Sequence, residues 1–227
     1  MNTTNSPEHK TDLSEPEMIV LLGGTFDPIH LGHTLPATET AQWLGAEKIY
    51  LIPAHLPPHK NKTHANAQQR VAMAELICCN NALFQLDTRE LQRDSLSYTV
   101  DTLKEIKIEQ PNSQLYFIMG MDSLLSFTLW ERWQQILSLC NIVVNIRPGF
   151  SDIKQLKTAI DPVLCSYLVD DLATVKKQPS GKIILHECTP FNISSSEIRE
   201  KIKTGASYQA LVSPSVHKYI EQNQLYR

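Results

Sequence analysis

The chain has 227 residues, of which 42% are hydrophobic and 20% are charged, and its formal net charge is -3. This length and apolar fraction suit one globular domain with a sizeable core, or one domain with a small appendage. A weakly negative chain has no bulk electrostatic attraction for nucleic acid, although its 21 lysines and arginines can still cluster around a phosphate substrate.

The N-terminal end and the cysteines carry no functional signal. Residues 1–17 are polar and lack the apolar core of a signal peptide, so we expect a flexible tail followed by a single domain over residues 18–227. No apolar run approaches the roughly 20 residues that a membrane-spanning helix needs. The five cysteines lack the spacing of a zinc or redox site, which indicates free thiols in a reducing cytoplasm.

The first predicted strand leads into the most informative stretch of the chain. Residues 18–22 are an apolar run typical of a buried strand, and residues 34–44 have the composition of a helix. Between them, residues 23–33 read Gly-Gly-Thr-Phe-Asp-Pro-Ile-His-Leu-Gly-His. A strand, a glycine turn and a helix can bring a phosphate chain close to backbone N–H groups. His30 and His33 can point two imidazoles, which ordinarily titrate near neutrality, at the same anion.

Strand and helix patterns alternate along the rest of the chain, which predicts an α/β doubly wound parallel sheet with helices on both faces. Ligands of such sheets bind beyond the carboxyl ends of the strands. Residues 151–181 are the least regular, and we expect a peripheral insert there. The other predicted strands are 48–53, 83–86, 115–119, 141–146 and 182–186. The other predicted helices are 65–79, 98–109, 123–139 with a break near Trp130, 194–203 and 213–223.

Three further stretches carry candidate groups for substrate binding. Residues 52–60 contain three prolines, which make a stiff loop, and His59 and Lys60 supply positive charge at its end. Residues 97–99 begin a predicted helix with Ser-Tyr-Thr, and Asp122 ends a predicted strand, where a carboxylate can bind ribose hydroxyls. The alternative interpretations are an ordinary exposed loop and two helix caps.

A serine-rich helix start follows the last clear predicted strand. Residues 193–199 read Ile-Ser-Ser-Ser-Glu-Ile-Arg. Ser194 and Glu197 have capping-box spacing, so helix initiation alone could explain them. Serine hydroxyls and N–H groups at a helix start also form an anion site, and Arg199 can reach a phosphate from the next turn.

Residues 23–33 resemble the signature of nucleotidyltransferases that carry His-x-Gly-His, and residues 193–199 resemble the ATP-binding motif of the same enzymes. With the three middle stretches and the ending near residues 216–226, residues 18–227 are similar to the nicotinate-nucleotide adenylyltransferase family. The resemblance implies a Rossmann-like fold. It also implies transfer of the adenylyl group of ATP to nicotinate mononucleotide, which gives deamido-NAD and pyrophosphate in NAD biosynthesis.

The resemblance implies roles for the matching residues. The catalytic groups would be His30, His33 and Arg199. The ATP-binding residues would be Gly23, Gly24, Thr25, Phe26, Gly120, Asp122, Ser195 and Ser196. The acceptor-binding residues would be His59, Lys60, Tyr98, Thr99 and Trp130. Mg²⁺ would arrive with ATP on phosphate and water ligands, so we expect no protein metal cage. The partners would be ATP and nicotinate mononucleotide, with no nucleic acid and no membrane.

Two positions depart from the family pattern. Ala54 stands where relatives often have Asn, which removes a possible contact with the pyridine nucleotide. Glu131 stands where relatives can have an aromatic residue, and its carboxylate would repel nicotinate if it pointed inward. Two alternatives therefore stay open: a sister transferase that uses nicotinamide mononucleotide or another phosphate ester, and a non-catalytic nucleotide-binding regulator. The sequence does not indicate an oligomeric state.

Overall fold

The computed structural model describes residues 16–56, 63–93, 95–146 and 158–227. The expected tail, apart from residues 16–17, and the candidate residues His59 and Lys60 therefore lie outside the described residues. The strands are β1 (Met18–Gly24), β2 (Ile49–Pro53), β3 (Phe84–Leu86), β4 (Gln114–Gly120), β5 (Asn141–Ile146), β6 (Leu168–Val169) and β7 (Ile183–Glu187). The helices are α1 (Leu31–Leu44), α2 (Ala67–Asn80), α3 (Thr99–Glu109), α4 (Met121–Leu125), α5 (Trp133–Leu139), α6 (Leu172–Lys177), α7 (Ser195–Lys203) and α8 (Pro214–Gln222).

The strands form one sheet in the order β3-β2-β1-β4-β5-β7-β6, and every neighbouring pair is parallel. The predicted doubly wound α/β fold is confirmed. The strand order reverses between β1 and β4, so the crevice beyond their carboxyl ends is the place where such a sheet binds ligands. Gly24 ends β1 there, and Gly120 ends β4.

The core lies on both faces of the sheet, which explains the unbroken apolar run of β1. Val20 and Leu22 pack on the face covered by α1 and α2, whereas Ile19 and Leu21 pack on the face covered by α3 and α5. A parallel strand buried on both faces needs no polar alternation. No helix in the described ranges combines the length and apolar character needed to span a bilayer.

Three predicted elements differ from the structure. Helix α1 begins at Leu31 rather than near residue 34, which places His33 in its first turn. The predicted helix 123–139 is three pieces, α4, a 3₁₀ turn at Phe127–Leu129 and α5, and Arg132 just before α5 has a left-handed φ of 53°. Within the predicted insert, β6 joins the sheet edge and α6 follows it. A two-residue strand is too short to leave a periodic signal.

Candidate functional site

Two adjoining cavities open beyond the carboxyl ends of β1 and β4. The first has a volume of about 430 Å³, and the second of about 700 Å³. Ser123 lines both, so the cavities meet there. The candidate residues in the first wall are Gly23, Gly24, Thr25, Tyr98, Thr99 and Trp130. The candidate residues in the second wall are His30, His33, Gly120, Asp122, Ser195 and Ser196.

The two cavities separate residues that the family resemblance assigned together to ATP binding. Gly23, Gly24 and Thr25 were expected beside ATP, yet they line the cavity that also contains the expected acceptor residues. Gly23 and Gly24 end β1, which pairs with β2 on one side and β4 on the other, and Thr25 follows directly.

The two motif histidines form one unit at the start of α1. His30 is the N-cap residue, and its ring stacks on that of His33 with centroids 3.7 Å apart. The backbone N–H of His30 donates to Nδ1 of His33 at 3.2 Å, which leaves the proton of a neutral His33 ring on Nε2. Burial lowers the pKa of His30 to about 4, so the expectation that this imidazole titrates near neutrality is wrong.

Both motif glycines lie close against aromatic rings, and a side chain at Gly24 would collide with one of them. A Cβ on Gly24 would lie 2.7 Å from the ring of Phe26, and one on Gly23 would lie 3.2 Å from Phe117. Phe26 is 1% exposed and meets the His33 ring edge-on at a centroid distance of 5.3 Å. Phe26 thus supports the histidine pair from the core and offers little surface to a ligand.

The serine-rich motif meets the histidine motif through hydrogen bonds. The Ser195 hydroxyl donates to the Pro28 carbonyl oxygen at 3.0 Å, and Nη1 of Arg199 donates to the Asp27 carbonyl oxygen at 2.7 Å. Nη2 of Arg199 also donates to the Ser196 hydroxyl at 3.0 Å. Segments that are 167 to 172 residues apart in sequence therefore build one wall.

The capping interpretation of the same motif also holds for one of its serines. The Ser194 hydroxyl accepts from the backbone N–H of Glu197 at 3.1 Å and caps α7. Ser195 and Ser196 stand in the first turn of α7 and in the wall of the second cavity. The motif thus begins a helix and supplies hydroxyl groups to the site.

Aromatic and acidic residues shape the first cavity. The Trp130 ring packs edge-on against Phe117 and Phe127, with centroid distances of 6.2 Å and 5.6 Å. Its backbone N–H donates to the Phe127 carbonyl oxygen at 3.0 Å, so this N–H is engaged within the protein. The Glu131 carboxylate lies 3.4 Å from Nε of Arg132, and its side chain is 48% exposed. Arg132 therefore pairs with the charge of Glu131 at the rim.

Sequence reasoning missed a buried carboxyl group in the first cavity. Glu90 is 6% exposed and lines the wall beside Ser97 and Thr102. The Thr102 hydroxyl donates to Oε1 of Glu90 at 2.6 Å. Burial raises the pKa of Glu90, although Thr102, Ser97 and Arg93 oppose the shift. A lone glutamate in a short 3₁₀ turn, Arg89–Gln92, gave no pattern by which to single it out.

A cysteine also belongs to the site, which the sequence did not indicate. All five thiols are free, and Cys188 lines the second cavity near Thr40. Burial raises the pKa of Cys188 to about 11, so it is a neutral thiol near pH 7. Within the described ranges, no three His, Cys, Asp or Glu side chains form a cluster that could hold a metal ion.

Comparison with known proteins places this architecture in a family. The family model described as cytidylyltransferase-like matches residues 21–201, a range that contains both motifs. Relatives named "Probable nicotinate-nucleotide adenylyltransferase" from Psychromonas ingrahamii and Shewanella pealeana are 40% and 42% identical to the chain over 211 residues. These alignments cover 93% and 92% of this chain, and 98% and 95% of the relatives. A relative of the same name from Yersinia pestis is 43% identical over 216 residues, 94% of this chain and 97% of its own.

Solved structures share the fold at lower identity. The Plasmodium falciparum nicotinic acid mononucleotide adenylyltransferase complexed with APC superposes with a TM-score of 0.68 at 18% identity. The same enzyme complexed with NaAD gives 0.68 at 20% identity, and each match covers 92% of this chain and 97% of the other. At these identities the likeness supports the fold alone. The motifs, the fold and the relatives at 40% identity or more agree: the chain belongs to the nicotinate-nucleotide adenylyltransferase family of cytidylyltransferase-like proteins.

Proposed function

We propose that this chain transfers the adenylyl group of ATP to nicotinate mononucleotide, giving deamido-NAD and pyrophosphate. The observation that carries the proposal is the meeting of two cavities at Ser123, beside a wall that both sequence motifs build together. One cavity for each substrate suits a direct transfer between them. The names of the relatives at 40% identity or more support the same reaction.

The proposed chemistry is a direct displacement at phosphorus. A 5′-phosphate oxygen of the mononucleotide bonds to the α-phosphorus of ATP, the bond from that phosphorus to the bridging oxygen breaks, and pyrophosphate leaves with the electron pair. Such a transfer needs positioning and charge neutralisation more than a protein nucleophile. It therefore suits a site built from imidazoles, hydroxyls and a guanidinium.

The histidine pair would stabilise the phosphoryl oxygens. His30 acts as a neutral hydrogen-bond donor because burial keeps it uncharged near pH 7. His33 donates through Nε2, since its Nδ1 is held by the His30 backbone N–H. The start of α1 favours negative charge at the same place. Together they meet the charge that develops as pyrophosphate departs.

Residues of the second cavity would hold ATP. Ser195, Ser196 and Arg199 bind the triphosphate at the start of α7, where N–H groups point at an anion. Gly120 and Asp122 bind adenosine at the end of β4. Mg²⁺ bound to ATP would neutralise phosphate charge. The donor set fits it, because hydroxyls and the single carboxylate of Asp122 leave most ligands to phosphate and water.

Residues around the first cavity would hold nicotinate mononucleotide. Tyr98, Thr99 and Trp130, which line this cavity, form the nicotinate pocket. His59 and Lys60, which lie outside the described residues, would meet the acceptor phosphate. In this proposal residues 18–227 act as one nucleotidyltransferase domain preceded by a tail without a catalytic role. The enzyme works in the cytoplasm, where a reducing environment suits its five free thiols.

Pyrophosphate release from ATP with a panel of acceptors tests the proposal. The panel contains nicotinate mononucleotide, nicotinamide mononucleotide and phosphopantetheine, and mass spectrometry identifies the dinucleotide product. We expect deamido-NAD and pyrophosphate in equal amounts with the first acceptor. Release with phosphopantetheine alone would establish a sister transferase. ATP binding without release on any acceptor would establish a nucleotide-binding regulator.

A further inference from the structure

Helix α2 contains a buried arginine to which the proposed reaction assigns no role. Arg70 is 1% exposed and shares the buried face of α2 with Met73, Ala74 and Ile77. A cation is rare on such a face, because its desolvation is costly unless hydrogen bonds and opposite charge compensate. The placement of Arg70 therefore needs an explanation in terms of its partners.

Three backbone carbonyl oxygens accept from the Arg70 guanidinium. Nη1 donates to Thr25 at 2.7 Å and to Ala54 at 2.6 Å, and Nη2 donates to His55 at 3.1 Å. Thr25 immediately follows β1 and begins the loop to His30, whereas Ala54 and His55 immediately follow β2. One side chain thus joins the ends of two neighbouring strands.

These two strand ends belong to the site. Thr25 and Ala54 both line the first cavity, and the loop after Thr25 leads to the histidine pair in the second. Arg70 lines neither cavity, so it has no surface to offer a substrate. It can act on the reaction only through the backbone segments that it holds.

The buried carboxylate of Asp27 adds a second link between the loop after β1 and the segment that leads into α2. Asp27 is 2% exposed, and its carboxylate accepts from the backbone N–H groups of His64 at 2.8 Å and Ala65 at 3.0 Å, just before α2. Burial alone would raise the pKa of Asp27, but these two hydrogen bonds, with Tyr226 and the charge of Arg199, hold it below its usual value. Burial lowers the pKa of Arg70, and the negative charge of Asp27 opposes this shift.

We propose that Arg70 is a positioning residue. Its guanidinium fixes the loop that leads to His30 and His33 relative to the wall of the first cavity. The inference rests on the proposed adenylyl transfer, because the relative position of the two cavity walls matters only if the two substrates react with each other. A planar guanidinium fixes three oxygens at set distances, which an ammonium on a flexible stem does not. Loss of Arg70 would therefore misalign the acceptor phosphate and the α-phosphorus.

The test separates binding from transfer in the variant Arg70→Lys. A misplacement of 1 Å can cost on the order of 100-fold in rate, so we expect kcat for deamido-NAD formation to fall by about that factor. Affinity for ATP alone and for nicotinate mononucleotide alone, measured by calorimetry, should change less than about threefold, since each substrate keeps the contacts of its own cavity. A fall in kcat with nearly unchanged affinity for each substrate is the result expected of a positioning residue.

Met73→Ala is the matched control. Met73 is 0% exposed on the same face of α2 and packs in the core, so its truncation lowers Tm but removes none of the three Arg70 hydrogen bonds. If Arg70→Lys keeps kcat within about threefold of the wild type, or loses only as much as Met73→Ala at an equal fall in Tm, the inference is overturned. If Arg70→Lys does not fold, Arg70→Gln is measured in its place.

The remaining outcomes are also decisive. Failure of both Arg70 variants to fold would assign Arg70 to stability alone and overturn the positioning role. Wild-type turnover is measured first, and its absence with nicotinate mononucleotide counts against the proposed function. Wild-type turnover together with an unimpaired Arg70→Lys variant counts against this inference only.

Discussion

His30 and His33 stack with their ring centroids 3.7 Å apart, and the more buried ring, His30, is neutral near pH 7. Two imidazoles in contact could not both be protonated without repulsion in a buried place. In the proposed reaction the pair would thus offer phosphoryl oxygens two hydrogen-bond donors rather than two full positive charges.

The variant His33→Ala should lose most turnover while ATP binding falls less. An imidazole matched to developing charge contributes more in the transition state than in the ground state. Removing one such donor costs on the order of 10²–10³ in kcat. Pyrophosphate release and ATP affinity measure the two effects. His217→Ala is the control, because His217 packs against Tyr208 and lines neither cavity. Near-wild-type turnover of a folded His33→Ala protein would remove His33 from the mechanism.

Burial of His30 should make stability depend on pH between about 4 and 6.5. The pKa of His30 is lowered to about 4 in the folded protein, so the unfolded chain binds more protons in this window. Stability is therefore fully present above pH 6.5 and falls as the pH drops toward 4. The difference corresponds to roughly 3 kcal/mol.

Urea unfolding at pH 7 and at pH 4.5 measures this loss. The variant His30→Asn should show a smaller difference between the two pH values, because it has no imidazole to protonate. A residual slope is expected from His186, whose pKa is also lowered by burial. An identical pH dependence in the variant and the wild type would show that His30 is not the group responsible.

The sequence predicts the fold better than it predicts the site. Buried parallel strands such as Asn141–Ile146 contain continuous apolar runs, so their positions follow from composition. The two motifs likewise stand out, since each combines a helix start with polar residues. Arg70 was not singled out because its partners are backbone carbonyl oxygens, which no sequence pattern identifies. Only its place on the apolar face of α2 could have indicated it.

The substitution Arg199→Lys should be damaging although it keeps the charge. The Arg199 guanidinium donates to both the Asp27 carbonyl oxygen and the Ser196 hydroxyl. A lysine ammonium cannot reproduce this planar pair of donors. We expect the KM for ATP to rise and kcat to fall. Lys201→Arg is a control two residues further along α7, where Lys201 pairs with Glu197. If both kinetic constants of Arg199→Lys stay unchanged, residues 194–199 only initiate a helix.

Cys188 should be dispensable for the chemistry even though it lines the second cavity. Burial raises the pKa of its thiol to about 11, so almost no thiolate is available as a nucleophile near pH 7. The variant Cys188→Ala should keep kcat within a few-fold, and any change should appear in the KM for ATP. Cys79→Ala, at an exposed position, is the control. Abolished turnover in a folded Cys188→Ala protein would reveal a catalytic thiol.

The acceptor should be nicotinate mononucleotide in preference to the amide. Tyr98 and Thr99, at the start of α3, line the first cavity, and the N–H and hydroxyl donors of such a helix start favour a carboxylate. A carboxamide would present its own NH₂ to some of these donors and leave them unpaired, at about 1–3 kcal/mol for each buried group. The expected preference is therefore about one to two decades for each such donor.

Glu90 and Glu131 are the acidic residues in the described wall of the first cavity, and the pairing of Glu131 decides how strongly it opposes this preference. Its carboxylate lies beside Arg132, which in turn donates to Asp101 at 2.8 Å, so its charge is partly neutralised at the rim. The substitution Glu131→Gln should therefore raise the preference for the acid only slightly, whereas Arg132→Met, which leaves Glu131 unpaired, should lower it. The preference of the wild type and of both variants is measured by competition between the two mononucleotides at equal concentration. Equal use of both by the wild type, or preference for the amide, would overturn the acceptor assignment and leave adenylyl transfer itself intact.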